Sequence, residues 1–183
     1  PGRGWTWNSI PRLIYRWECK REIFMIIGII SDTHDNLDNL GKALELFRAR
    51  EVEHIIHAGD YTSPFTHRVL KKFTGRFTGI FGNNDGDRLL LQKVSDGRVY
   101  NQPHLLELAN RKIIVMHEHH IIDALAQSSC YDLVIYGHTH TPDIRTVKNT
   151  LIINPGEASG WLYDKPTVAV ADLSKMTAEI VAL

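Results

Sequence analysis

Side chains able to bind divalent metals close five apolar stretches of this chain: Ser31-Asp32-Thr33-His34, Gly59-Asp60, Gly82-Asn83-Asn84-Asp85, His117-Glu118-His119-His120 and Gly137-His138-Thr139-His140. Asp32 and His34 are one residue apart, as are His138 and His140, so each pair can aim two donors into one pocket from a short turn. Two such pairs suggest two ions. With Asp60, Asn83 and His117 the donors are imidazole and oxygen without thiolate, a mixture suited to Mn²⁺, Ni²⁺, Fe or Zn²⁺ rather than to Ca²⁺ or a structural zinc. A shared carboxylate such as Asp60 could bridge ions roughly 3.5–4 Å apart, clamping the attacking and leaving oxygens of an in-line phosphoryl displacement. Simpler readings compete residue by residue. Asp32 and Asp60 could cap the helices that follow, His117 could be a hydrogen-bonded core histidine, and Asn83-Asn84-Asp85-Gly86 is ordinary turn chemistry. His138 and His140 resist such explanations, having a glycine entry and no periodic burial pattern.

The elements behind these clusters read as strands and helices in alternation. A buried strand needs no His or Asp at its end, whereas an open α/β sheet gathers ligands beyond the carboxyl ends of its strands. Short strands are predicted at Met25–Ile30, His54–Ala58, Phe77–Phe81, Lys112–Met116, Leu133–Tyr136, Leu151–Ile153 and Thr167–Ala171, with an edge strand at Ala178–Val181. Several are continuously apolar, as sheets covered on both faces require. Leu37, Leu40, Leu44 and Phe47 recur at helical spacing after the first ligand pair. Ser63-Pro64 has the form of a helix start, with Phe65, Val69, Leu70 and Phe73 as the buried stripe. Leu89–Val94 and Ile121–Cys130 are further helical stretches. The class is α/β in the first half and mostly β at the end.

Taken in order, Asp-x-His, Gly-Asp, Gly-Asn-x-Asp, His and Gly-His-x-His resemble the metallophosphoesterase, or calcineurin-like, superfamily, most of all its small one-domain phosphodiesterases. The resemblance runs from about Met25 to Leu183. It implies an α/β fold in which a layered β-sandwich flanked by helices carries a dinuclear site. Asp32, His34, Asp60 and His140 would hold one ion, and Asp60, Asn83, His117 and His138 the other. The implied nucleophile is a metal-bridging hydroxide. Two departures stand out. The family's Gly-Asn-His-Asp carries a histidine that stabilises or protonates the leaving group and an aspartate that orients it; Asn84 replaces that histidine here, a catalytic candidate able to hydrogen-bond a phosphoryl oxygen but not to donate such a proton, with Asp85 then serving mainly to anchor the loop. Glu118 stands where glycine is common, and His119 is the first choice for a substitute proton donor. His57 is expected to orient Asp60 from behind rather than to touch metal, and Asn154-Pro155-Gly156 resembles a family turn bordering the site, with Glu157 where serine is common.

Composition narrows the rest. At 183 residues the chain suits a single domain. Lys+Arg 21 against Asp+Glu 21 leaves a formal charge of +0, so no global field favours a nucleic-acid backbone, and no large nucleic-acid partner is expected. Cys19 and Cys130 show no disulfide or metal spacing, which together with the lack of a membrane-length apolar run predicts a cytoplasmic protein without a membrane partner. A homo-oligomer is left open. Residues 1–24 form an extension holding Trp5, Trp7 and Trp17 with Arg3, Arg12, Arg16, Lys20 and Arg21; it reads as accessory to the domain at 25–183, an aromatic arm for a partner being the alternative. The function favoured is hydrolysis of a small phosphodiester, nucleotides included. Phosphomonoesterase activity and a non-catalytic scaffold of the same fold are the rivals, the former disfavoured because no evident Arg cluster awaits a phosphate dianion.

Overall fold

The computed structural model describes residues 24–183. Its first strand, β1 (Ile26–Ile30), is apolar on both faces because both are covered. Ile27 and Ile29 enter a core shared with Ile113, Val115, Leu133 and Ile135 of the other sheet, while Ile30 packs with Leu40, Leu44 and Phe47 of α1 (Leu37–Ala49). Gly28 lies under that helix, where a Cβ would stand 2.8 Å from the Phe47 ring. The chain then alternates through β2 (His54–His57), α2 (Thr66–Leu70), β3 (Arg76–Ile80), α3 (Arg88–Val94) and β4 (Val99–Tyr100). The second sheet comprises β5 (His104–Leu108), β6 (Arg111–Val115), β7 (Leu133–Ile135), β8 (Asp143–Val147) and β9 (Thr150–Asn154), with α4 (Ile122–Gln127) between β6 and β7. Finally β10 (Thr167–Asp172) and β11 (Thr177–Ala182) return to the first sheet.

The first sheet has the order β11-β10-β1-β2-β3-β4 and the second β5-β6-β7-β9-β8. Within the first, β1 to β4 run parallel; within the second, so do β6, β7 and β9. Apolar clusters between helix and sheet, between the two sheets, and between sheet and α4 define a sandwich flanked by helices, as expected.

All the predicted strands form, to within a residue or two at their ends. The reading missed β4, β5 and β8: β4 is two residues long, and β5 and β8 lie at sheet edges with few buried side chains, so they lack the apolar density that marked the others. At the second helix the expectation needs correction. Residues 63–65 form a turn, and the Ser63 hydroxyl donates to Asp35 Oδ1 at 2.7 Å while accepting the Phe65 N–H at 3.3 Å. Of the expected stripe Phe65 is 58% exposed, while Leu70 is buried and Val69 and Phe73 pack against the core, joined by buried Thr66 and His67. The third helix shows Leu89 outward and Leu91 inward. The helix at 121–130 is shorter than expected, Ile122–Gln127. Except for Phe24, the extension at residues 1–24 lies outside the described residues, as does Cys19.

Candidate metal centre

The carboxyl ends of β1, β2 and β3 and those of β6 and β7 open onto one place. There His34 Nε2 is 3.9 Å from Asp32 Oδ1 and 3.7 Å from Asp60 Oδ2, and His140 Nε2 is 3.3 Å from Asp32 Oδ1. On the other side of Asp60, His117 Nε2 lies 3.3 Å from Asp60 Oδ2 and 2.9 Å from Asn83 Oδ1, which is also 2.9 Å from His138 Nδ1. Asp60 Oδ2 therefore faces both groups. Asp32, His34 and His140 form one set of donors close enough to hold an ion, and Asp32, Asp60 and His117 another.

Hydrogen bonding decides what these atoms can be. The Nδ1 of His117 is 2.8 Å from the Ala58 carbonyl, which can only accept, so Nδ1 carries a proton and Nε2 is left facing Asn83 and Asp60. His140 repeats this. Its Nδ1 is 2.8 Å from the Glu157 carboxylate, and its Nε2 faces Asp32 Oδ1, a buried oxygen with no hydrogen-bond partner. Ring nitrogens and acceptor oxygens this close need a cation between them, whether a proton or a metal ion. Burial pushes the Asp32 carboxyl up, a cost that a divalent ion would remove. For Asp60 burial acts the same way, but His117 and the Asn84 donors outweigh it and hold the carboxyl below the ordinary range. Burial would lower His117, yet Asp60 and Asp32 raise it.

The helix-cap reading of the two aspartates does not hold. Asn36 caps α1 by accepting the Asn39 N–H, and α2 has no side-chain cap. Instead Asp32 (φ 53°), His34 (φ 38°), Asp60 (φ 60°), His138 (φ 67°) and His140 (φ 59°) all occupy the left-handed region. Such conformations cost about 1–3 kcal/mol each and persist only where the surroundings over-determine them. Much of that determination comes from Asp85. It is buried, and its carboxylate accepts the N–H groups of Asp60 (3.2 Å), Tyr61 (2.7 Å), Thr62 (2.9 Å) and Gly82 (2.7 Å). The carboxylate is engaged by four backbone amides, so Asp85 anchors the loop.

Other expectations shift in detail. The Asn84 side chain donates to Asp60 Oδ2 and its N–H to Asp60 Oδ1, each at 2.8 Å, so this residue braces the shared carboxylate. His57 makes no hydrogen bond to the Asp60 side chain; its Nδ1 accepts the Gly59 N–H at 3.2 Å and its Nε2 meets Thr33 Oγ1 at 3.1 Å. It steadies the backbone on which Asp32 and Asp60 sit. His119 is exposed and stacks on His138 with ring centroids 5.8 Å apart, beside the centre. The Glu118 N–H, like that of His117, donates to Gln102 Oε1, so the departure from glycine is accommodated by the β4–β5 connection.

Glu157 was read only as part of a turn. Its carboxylate is 1% exposed and accepts from His140 Nδ1, Ser159 Oγ and the N–H groups of Leu162 and Tyr163. The available signal was its position: it follows β9 as the other clusters follow their strands. Asn154 behaves as a turn residue bordering the site, donating to the Gly137 carbonyl at 3.0 Å and to Thr139 Oγ1 at 2.9 Å.

The profile of the calcineurin-like phosphoesterase superfamily domain matches residues 25–176. The chain belongs to that superfamily. It is 37% identical to a phosphodiesterase of Methanocaldococcus jannaschii over 157 residues, 82% of this chain and 95% of that protein. A probable metallophosphoesterase of Methanothermobacter thermautotrophicus is 31% identical over 86% of this chain and 92% of its own length. Among solved structures, one described as a novel archaeal phosphodiesterase superposes with a TM-score of 0.81 at 36% identity, covering 87% of this chain and all, 100%, of the other. Vacuolar protein sorting 29 from Cryptosporidium parvum shares the fold, with a TM-score of 0.64 at 16% identity over 87% and 97% of the two chains. Metallophosphoesterases use divalent ions, and the converging donors here fit them. The match to the superfamily covers the strands that carry every residue of the centre.

Proposed function

We propose that this chain hydrolyses small phosphodiesters, nucleotides included, using two divalent transition-metal ions. The observation that carries the reading is the convergence of imidazole nitrogens and carboxylate oxygens about Asp60 Oδ2. Asp32, His34, Asp60 and His140 would hold one ion and Asp60, Asn83, His117 and His138 the other. Oxygen and imidazole donors favour Mn²⁺ first, with Ni²⁺, Fe or Zn²⁺ as alternatives. Two such ions supply a lowered pKa for water and charge neutralisation at phosphorus. The chain's own residues do the rest. Asp60 is held in place by Asn84, the backbone beneath it by Asp85 and His57, and His140 by Glu157. His119 stands at the open side, where an imidazole can pass a proton to a departing oxygen.

The diester is preferred because, among the described residues, the cavity beside the ligands is lined by His34, Asn84, His140, Trp161 and Leu162, with no Arg or Lys to meet a phosphate dianion. The intact donor set speaks against a purely structural scaffold. Among the described residues no helix is long and apolar enough to cross a membrane, and Cys130 is a free, exposed thiol, which supports placement in the cytoplasm. Residues 25–183 would form the catalytic domain, since every proposed ligand lies there. A screen of metals against aryl diesters and monoesters, with metal content measured on the same samples, tests the proposal. Diester turnover that tracks a content of two ions per chain is expected. Turnover confined to monoesters, or full activity with one ion, would overturn it.

A further inference from the structure

Between β9 and β10 the chain exposes three large apolar side chains in succession: Trp161 at 66%, Leu162 at 65% and Tyr163 at 56%. Loops with this composition bury such groups or use them. This one is held firmly outward. The Leu162 and Tyr163 N–H groups are fixed on the buried Glu157 carboxylate, the Asp164 N–H on the Gly160 carbonyl at 3.0 Å, and the Trp161 indole N–H on the His34 carbonyl at 3.2 Å. Gly160 takes a φ of 72° against Pro166, fixing the entry of the turn. The exposed ring therefore stands in a set position beside a residue of the centre.

A cavity of about 310 Å³ lies there, with His34 and His140 on one wall and Trp161 and Leu162 on another. That volume falls at the lower end of small-ligand sites, which combine apolar walls with a few polar groups that fix orientation. Asn84 is the remaining lining residue, and its amide is occupied by Asp60. Among the described residues the walls thus offer flat apolar contact with no Arg, Lys, Asp or Glu to read a polar edge. A short alkyl ester would leave the indole in water; a planar ring would cover it.

From this we infer that Trp161 and Leu162 form a shelf that seats an aromatic ester group of the phosphodiester, making the enzyme selective for aryl or nucleoside esters. The inference rests on the phosphodiesterase reading for its substrate, but the shelf itself can be tested by binding. Stacking on an exposed aromatic side chain is sequence-tolerant for nucleobases and corresponds to about ten- to a hundred-fold in affinity. Glu157 adds a consequence: the carboxylate that fixes the shelf also fixes His140, so ring binding and ligand geometry share one anchor.

The experiment measures competitive inhibition of the Mn²⁺-loaded full chain by 4-nitrophenyl phosphate, adenosine 5′-phosphate and methyl phosphate, together with metal content. Trp161→Ala should weaken 4-nitrophenyl phosphate about ten- to a hundred-fold, leave methyl phosphate unchanged and keep both ions. Trp161→Phe keeps a ring but loses the indole N–H on His34, and should retain most of the aryl affinity; Leu162→Ala should fall between. Adenosine 5′-phosphate follows the aryl ester where the seated ring is a nucleobase, and follows methyl phosphate where the pocket admits only a simple aryl group. Equal weakening of aryl and methyl phosphates would mean that Trp161 acts through His34, and no change in either would mean the shelf is bare; each result overturns the inference. A parent protein that cleaves only monoesters would refute the phosphodiesterase reading while leaving the aryl-to-methyl ratio to judge the shelf.

Discussion

His140 and His117 approach the two central carboxylates from opposite sides, and each fixes its remote ring nitrogen on an oxygen, but the oxygens differ. His140 leans on the buried carboxylate of Glu157, and His34 beside it meets the Thr62 hydroxyl at 3.1 Å. His117 leans on a neutral carbonyl, and its neighbour His138 is partly exposed and turns its Nδ1 to Asn83. A carboxylate behind an imidazole fixes its tautomer and raises its basicity as a ligand, more than a carbonyl does. The half built on Asp32, His34 and His140 should therefore hold its ion more tightly. The half built on Asn83, His117 and His138, open toward His119, should exchange its ion more readily. Asp60 is the proposed link between the halves, and Asp32 also falls in both sets of converging donors.

Removing the shared group should abolish the distinction. Asp60→Asn is expected to lose both ions by elemental analysis and to lower diester turnover to background, beyond the ~10²–10³-fold typical of losing one transition-state donor. A variant that still holds two ions would show that Asp60 is not common to the halves.

The open half is where a proton can reach the leaving oxygen, since Asn84 is engaged with Asp60 and lacks an acidic proton. General-acid help is typically ~10²–10⁴-fold and matters most for poor leaving groups. His119→Ala should therefore slow alkyl diesters by about a hundred-fold or more while changing aryl diesters little, read as kcat/KM across a leaving-group series at matched metal content. An unaltered series would remove His119 from the reaction and make the two halves equivalent as proton sources.

What the sequence made legible follows the same divide. Asp32, His34, Asp60, Asn83, His117, His138 and His140 were visible because each closes an apolar run, and strand ends are where such sheets gather polar groups. Glu157 closes a run too, but Asn-Pro-Gly has a sufficient explanation as a turn, so its carboxylate looked incidental until its partners 17 and 5 to 6 residues away were seen. Asp85 and Asn84 were ranked by a motif, and only the folded loop shows that one serves four backbone amides and the other braces a carboxylate. Strands β5 and β8 were illegible because edge strands are stabilised by pairing more than by burial, and pairing leaves little trace in residue type. The first sheet's strands, apolar on both faces, had no such ambiguity.

The charge behind His140 can be withdrawn with little change of shape. Glu157→Gln keeps an acceptor for the Leu162 and Tyr163 N–H groups but removes the negative charge from His140. The tighter half should weaken by roughly 10–100-fold in metal affinity, the usual range for such partners, so that chelator titration releases both ions together where the parent releases them in two steps. Two steps retained in the variant would place the asymmetry elsewhere than Glu157.

Acid also separates the halves, because imidazole must be neutral to ligate and the more weakly held ion leaves first. That reading needs a baseline, since the fold itself loses stability in acid. His54 and His67 are buried away from the centre. Burial, reinforced by Arg76 for the one and by Lys71 and Arg98 for the other, lowers each to about 4 from an ordinary 6.5. Both stay neutral in the fold, and each has an Nδ1 without a partner. The unfolded chain takes up these protons first, so the stability tied to each histidine is fully present above about pH 6.5, falls as pH drops through the window to about 4, and levels off below it. Between pH 7.5 and 6 the loss per histidine is about 1 kcal/mol by linkage, the smallest effect expected here. Urea unfolding of the metal-free protein should show it, and His54→Gln, which keeps a donor for Thr78, should remove about half of the combined slope. Comparing parent and variant cancels the opposite shift of His117. If the metal-free slope does not change on that substitution, the buried histidines are not its source, and the acid sensitivity of the whole protein belongs to the two halves of the centre.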